Sequence, residues 1–126
     1  MSVTAASGFR AAGVTAGLKP SGKPDLALVV NDGPEHVGAA VFTSNRVEAA
    51  PVTWSRQVVT DGRVDAVVLN SGGANACTGA QGFLDTHRTA ELVAEAAVPP
   101  RGALAAAWAL LLMAVHLHPG GRIADE

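Results

Sequence analysis

The chain has 126 residues, with 9 Lys+Arg against 11 Asp+Glu for a formal net charge of −2, and 48% of it is hydrophobic against 16% charged. That is length for one small domain, and a charge so close to zero provides no basic stripe for nucleic acid. The single cysteine, Cys77, excludes an intramolecular disulfide framework and a four-cysteine zinc site, as expected of a protein of the reducing cytoplasm.

No leader is expected at the amino terminus, because Met1-Ser-Val-Thr-Ala-Ala-Ser-Gly8 has neither a basic region nor a continuous apolar one. Glycine and proline cut the first two thirds into short pieces, which favours strands and turns. Residues 9–18 read as a strand. Leu26-Ala-Leu-Val-Val-Asn31 reads as the next, bounded by Lys19-Pro-Ser-Gly-Lys-Pro-Asp25 and Asp32-Gly-Pro34, both turn sequences. Residues 38–43 read as a further strand, and the short connection makes 26–31 and 38–43 antiparallel neighbours. Pro51-Val52 ends an extended stretch, residues 54–60 have room for two helical turns, and residues 64–69 form an apolar run of strand length.

From about residue 80 to 97 the period becomes helical, with Phe83, Ala90, Val93, Ala94 and Ala97 on one side and Asp85, Arg88 and Glu95 mostly elsewhere. Thr78 and Gln81 have the spacing of a capping box. Val98-Pro-Pro-Arg-Gly102 stops this helix. Residues 103–115 are thirteen apolar residues, well short of the ~20 that span a membrane, and a helix formed there would have no polar face. A buried partner or an exposed, association-prone patch would follow.

The segment richest in chemistry is Asn70-Ser71-Gly72-Gly73-Ala74-Asn75, a strand running into a glycine turn and then a helix. Such a turn can present backbone N–H groups to a carboxylate or phosphate, although Gly72-Gly73 matches neither the dinucleotide fingerprint nor the phosphate loop. Asn70, Ser71 and Asn75 are therefore structural turn residues first and candidate substrate contacts second. Cys77 with His87 lacks a third orienting group, and a lone cysteine at a helix start is expected in the core. His116 and His118, at i and i+2, would face different ways on a helix and make poor metal ligands. His36 and Asp85 read as solvated groups, and Glu35, Glu48 and Asp65 show no pairing by spacing. From the residues alone the chain is a small α/β or α+β domain with no assigned reaction.

Gly8-Phe-Arg-Ala-Ala-Gly13, Lys19-x-Ser-Gly-Lys-Pro-Asp-Leu-Ala-Leu28, Val41-Phe-Thr-Ser-Asn45, Ala49-Ala-Pro-Val52 and Asn70-Ser-Gly-Gly-Ala-Asn-Ala-Cys-Thr-Gly79, followed by Gln81-Gly82, carry a resemblance. In order and spacing they resemble the amino-terminal part of the ornithine acetyltransferase family, also termed bifunctional glutamate N-acetyltransferase and amino-acid acetyltransferase. The resemblance covers residues 3 to about 97. It implies an antiparallel set of strands with a strand-turn-helix unit, part of a layered α/β sandwich completed by later sequence. It also implies acetyl transfer from N-acetylornithine to glutamate in arginine biosynthesis. No metal or bound cofactor is implied, although acetyl-CoA serves some members as donor. The precursor is expected to cut itself before a threonine that becomes the nucleophile, giving α and β chains that pair and oligomerise.

This sequence departs from that pattern after residue 97. Its last threonine is Thr89, it contains no Ala-Thr pair, and the Ser-Thr-Gly oxyanion segment expected soon after Ala97 is missing. Residues 1–97 are thus read as the amino-terminal part of an ornithine acetyltransferase-like domain, inactive alone and without catalytic residues. Residues 98–126 are read as an atypical apolar tail, such as a reading-frame change in GC-rich DNA would produce. The readings from other classes are a noncatalytic anion-binding module at residues 70–75 and a membrane-associated remnant resting on residues 103–115.

Overall fold

The computed structural model describes residues 2–97 and the strand Ala109–Met113. Strand β1, Phe9–Val14, pairs antiparallel with β2, Leu26–Asn31, and β2 pairs antiparallel with β3, Ala66–Asn70. Strand β4, Ala109–Met113, lies parallel to β3, so the sheet order is β1-β2-β3-β4. Helices α1, Ala50–Val58, and α2, Gly79–Ala97, are joined to this sheet, with a 3-10 turn at Val59–Asp61 closing α1.

Burial in β3 alternates, as a strand with one covered face requires. Ala66 and Val68 are buried while Val67 and Leu69 are half-buried. The register carries that covered face across to Leu28 and Val30, opposite Val68 and Ala66. Above it α1 and α2 meet through Trp54 and Ala90, with Val58, Phe83 and Val93 packed around them. Of the helical face expected from Phe83, Ala90, Val93, Ala94 and Ala97, the first three are packed there and Ala94 is half-buried, the Ala97 side chain lying outside the described residues, while Asp85, Arg88 and Glu95 are exposed.

Residues 38–43 do not form a strand, and β2 does not pair with them. Each strand has two hydrogen-bonding edges, and those of β2 are taken by β1 and β3. Residues 38–43 run outside the sheet, with Val41 fully exposed and only an isolated bridge, Val37 to Arg63, beside them. Helix α1 also begins earlier than the sequence suggests. Pro51 is in its first turn, where a missing N–H costs nothing, so the proline opens the helix and does not end an extended stretch. Part of the apolar run that would be a helix without a polar face is strand β4. Continuous apolar character suits a parallel strand as well as a buried helix. The rest of that run, with His116 and His118, lies outside the described residues.

Candidate functional site

A pocket of about 260 Å³ opens where the covered face of the sheet meets the helices. Its apolar wall comes from Ala16, Leu18, Leu26 and Pro51, and its polar end from Asn70, Asn75, Asp85, Thr86 and Thr89. Leu26 and Asn70 face each other across β2 and β3, so the last pair of the ladder forms the pocket floor.

One buried carboxylate holds the near wall. Asp25, 3% exposed, accepts the backbone N–H groups of Ala16 at 2.6 Å, Leu18 at 2.6 Å and Lys19 at 2.9 Å. Its own N–H donates to Val14 O, and its carbonyl accepts from Ser71 N–H at 2.8 Å. One residue thereby ties β1, the loop carrying Ala16 and Leu18, and the turn after β3. At Gly72, φ is +96°, and a Cβ there would stand 2.6 Å from Lys19 Cγ and 3.2 Å from Leu18 O. Glycine is required because the turn lies directly on that loop.

The Ala16 N–H, then the Lys19 N–H, hold the Asp25 carboxyl below the usual aspartate range; burial opposes them, while the Leu18 N–H and the charge of Lys19 add to the lowering. A carboxyl with a lowered folded pKa stabilises above its unfolded value and loses that contribution as pH falls through the folded one. The acid limb of a urea-midpoint profile, below about pH 4, should therefore steepen through Asp25. Asp25→Asn should lower the midpoint at pH 7 more than any exposed Asp→Asn change and flatten that limb. An unchanged profile would remove Asp25 from this role.

Asn75 is fully committed to the scaffold. Its Nδ2 donates to Gly82 O at 2.7 Å and to Thr86 Oγ1 at 3.0 Å, its Oδ1 accepts the Thr78 hydroxyl, and its carbonyl accepts from Ala50 N–H. Asn70 differs. Its Nδ2 reaches Gly73 O at 3.5 Å, and its Oδ1 is buried without a donor among the described residues. Ser71 is bound through its backbone to Asp25 and does not line the pocket. Of the three candidate contacts, the structure brings Asn70 and Asn75 to one pocket.

Several expectations are corrected. Cys77 is exposed, with φ +57°, at the turn before α2, so it is not a core residue. His87 stands edge-on to Trp54 with centroids 4.6 Å apart and lies 3.5 Å from Glu91. The capping box does not form, because Thr78 is drawn to Asn75 and Gln81 donates to Asp85 at 2.8 Å. His36 is not simply solvated: its Nδ1 lies 2.6 Å from Asp65 Oδ1, which Arg63 also contacts at 2.6 Å. Glu48 pairs with Arg56. Asp85 is exposed as expected, yet it stands on the pocket rim. Thr86 and Thr89 carry no motif, and Asp25 lies in the Lys19–Leu28 segment without being singled out there. The one signal for Asp25 is an acid placed directly between a Gly/Pro turn and an apolar strand. Among the described residues no group of three or more His, Cys, Asp or Glu side chains could hold a metal ion.

The family model of the ArgJ family matches residues 10–107. The chain belongs to the ArgJ family. It is 72% identical over 95 residues to the arginine biosynthesis bifunctional protein ArgJ of Streptomyces coelicolor, covering 75% of this chain and 25% of that protein. The ArgJ protein of Mycobacterium tuberculosis is 67% identical over 94 residues, 75% of this chain and 23% of that one. Among solved structures, the ornithine acetyltransferase of Mycobacterium tuberculosis complexed with ornithine aligns at TM-score 0.82 and 58% identity, over 88% of this chain and 57% of that one. ArgJ of Bacillus halodurans aligns at TM-score 0.75 and 32% identity, over 96% of this chain and 61% of that one. The chain thus spans about a quarter of the length of the curated ArgJ proteins it matches. Its α/β fold, antiparallel strands with helices on the sheet, is that of these structures.

Proposed function

We propose that residues 1–97 are the amino-terminal, α-chain part of a glutamate N-acetyltransferase that moves an acetyl group from N-acetylornithine to glutamate in arginine biosynthesis. The observation that carries this reading is the ArgJ match over residues 10–107, supported by likeness to an ornithine acetyltransferase solved with ornithine. The nucleophilic threonine and the Ser-Thr-Gly oxyanion segment are supplied by sequence this chain does not have, so its residues hold and shape the site and do not react. Pairing with a β chain, higher oligomers, a cytoplasmic location and chemistry without metal or bound cofactor, with acetyl-CoA as an alternative donor, belong to the same proposal. Among the described residues no helix is long and apolar enough to cross a membrane.

An assay of the purified 126-residue chain with N-acetylornithine and glutamate should show no acetyl transfer above the uncatalysed background. Robust turnover would overturn the assignment of the catalytic groups to absent sequence. The tail from residue 98 belongs to the proposal as a replaced continuation. Its coding DNA, read in another frame beyond codon 97, should encode a Ser-Thr-Gly segment and then an Ala-Thr junction. If no frame does so, the tail is the chain's own.

A further inference from the structure

Strand β1 is the outer strand of the sheet, and all six of its residues are exposed. The hydrogen-bond parity of β2 decides which backbone groups of β1 are free. Asn31 N–H donates to Asp65 O at 2.9 Å and Ser71 N–H donates to Asp25 O at 2.8 Å, so the odd-numbered positions along β2 bond the β3 side. The even-numbered ones bond the β1 side: Asp32 N–H donates to Gly8 O at 2.7 Å, and Val30 and Leu28 stand opposite Arg10 and Ala12. Successive residues of a strand bond to opposite sides, so Phe9, Ala11 and Gly13 turn their N–H and C=O groups away from the sheet. Edge strands are ordinarily guarded by proline, a bulge or a free charge. Strand β1 has no proline, and its register with β2 is unbroken. Its one charged residue, Arg10, donates to Asp32 of the same chain at 2.9 Å.

We infer that this edge pairs with that of a second copy of the chain, β1 to β1 and antiparallel, about a two-fold axis through Ala11. Centred there, Phe9 faces Gly13 of the second copy, Ala11 faces Ala11, and each such pair exchanges both of its N–H···O bonds. No other register uses all of the outward residues: a shift of two sets Phe9 opposite Thr15 or Gly13 opposite Ser7, both outside β1. An aromatic ring across from glycine covers bare backbone, a pairing that rescues glycine in edge strands. Arg10 falls opposite Ala12 of the other copy, so no like charges face each other directly. A foreign peptide would have to supply this complementarity, whereas a second copy contains it. The pairing goes beyond the acetyl-transfer reading and needs neither its substrates nor a β chain.

The test is sedimentation and residue-resolved amide hydrogen exchange on the 126-residue chain, over a concentration series reaching about 1 mM. A reversible monomer–dimer equilibrium is expected. Exchange at Phe9, Ala11 and Gly13 should slow as concentration rises, while Arg10 and Ala12, already bonded to β2, change little by comparison. Ala11→Pro removes the N–H on the axis without touching the β1–β2 ladder and should weaken association about tenfold. Ala11→Lys and Ala11→Glu each set like charges together on the axis and should weaken it about fivefold, whereas their equimolar mixture should associate at least as well as the parent. Circular dichroism checks that the variants stay folded, and if Ala11→Pro does not, the charge pair decides. A chain that stays monomeric throughout, larger aggregates in place of a dimer, exchange that slows equally at odd and even positions, or a dimer indifferent to the Ala11 changes would overturn the inference. Each of these results leaves the acetyl-transfer reading untouched.

Discussion

Trp54→Ala should cost about 3–5 kcal/mol, the range for emptying a large aromatic from a core, as read from the urea midpoint at constant slope. Trp54 is 6% exposed and stands where the two helices close on each other. Its ring meets Phe83 edge-on, with centroids 5.8 Å apart at 70°, and His87 at 4.6 Å and 78°. Such aromatic pairs add to simple burial. Among the described residues the other buried hydrophobic ones are small: Val30, Ala66, Val68 and Ala90. None of them can expand into the vacated volume, so collapse around the cavity recovers little. A small domain holds about 5–15 kcal/mol in total, so the variant should be close to unfolded at 37 °C. Trp54→Phe should recover about half the loss, because it restores a ring without the indole's full area. A Trp54→Ala cost under about 1 kcal/mol would mean that the α1–α2 contact is not the core of this fold.

The parts of the fold visible in the sequence are those whose cause is local. Leu26–Asn31 is bounded by turn residues on both sides, and Gly79–Ala97 keeps a 3.6-residue period long enough to be unmistakable. Gly72 could be read as a special backbone position because Asn70-Ser-Gly-Gly offers no other use for two adjacent glycines. Residues 38–43 misled for a non-local reason: they have good strand composition, but the edge of β2 they need is already occupied by β3, which begins 40 residues after β2 begins, at Ala66 against Leu26. The same competition explains Thr78, whose hydroxyl has a cap to make in sequence terms and a better-placed acceptor in Asn75 once the turn is folded. Asp25 left almost no trace, because its partners are backbone N–H groups and every residue type has one. The pocket is likewise silent in sequence, since it is assembled from residues 16 to 89 on a loop, a turn, two strands and two helices. Asn70 and Asn75 could be nominated from the turn alone, but which of them is spent on structure and which keeps a free acceptor is decided by α2.

Gly82→Ala isolates that last point. In an ordinary helix interior the change is favourable by about 1 kcal/mol, because alanine has less backbone freedom to lose. Here it should destabilise by about 2–4 kcal/mol net. Gly82 is buried in the first turn of α2, and a Cβ on it would overlap the Thr78 hydroxyl and the Asn75 amide oxygen. Both atoms belong to the clasp that fastens the turn to the helix, in which Gly82 O also accepts from Asn75 Nδ2 and from the Thr86 hydroxyl. The methyl group can be accommodated only by driving Asn75 out. That movement breaks its bonds to Gly82 and Thr86 and loosens the Ala50 N–H bond to the Asn75 carbonyl. The destabilisation should therefore appear with a local signature: faster hydrogen exchange at Ala50 and through the first turn of α2, with β1 and β2 little changed. Gly79→Ala provides the comparison, since its φ of +64° is strained for alanine but no atom lies within 4 Å of the added carbon. Its loss should be about 1 kcal/mol. If Gly82→Ala instead melted at or above the parent temperature, the Asn75 clasp would not be what holds the turn against α2.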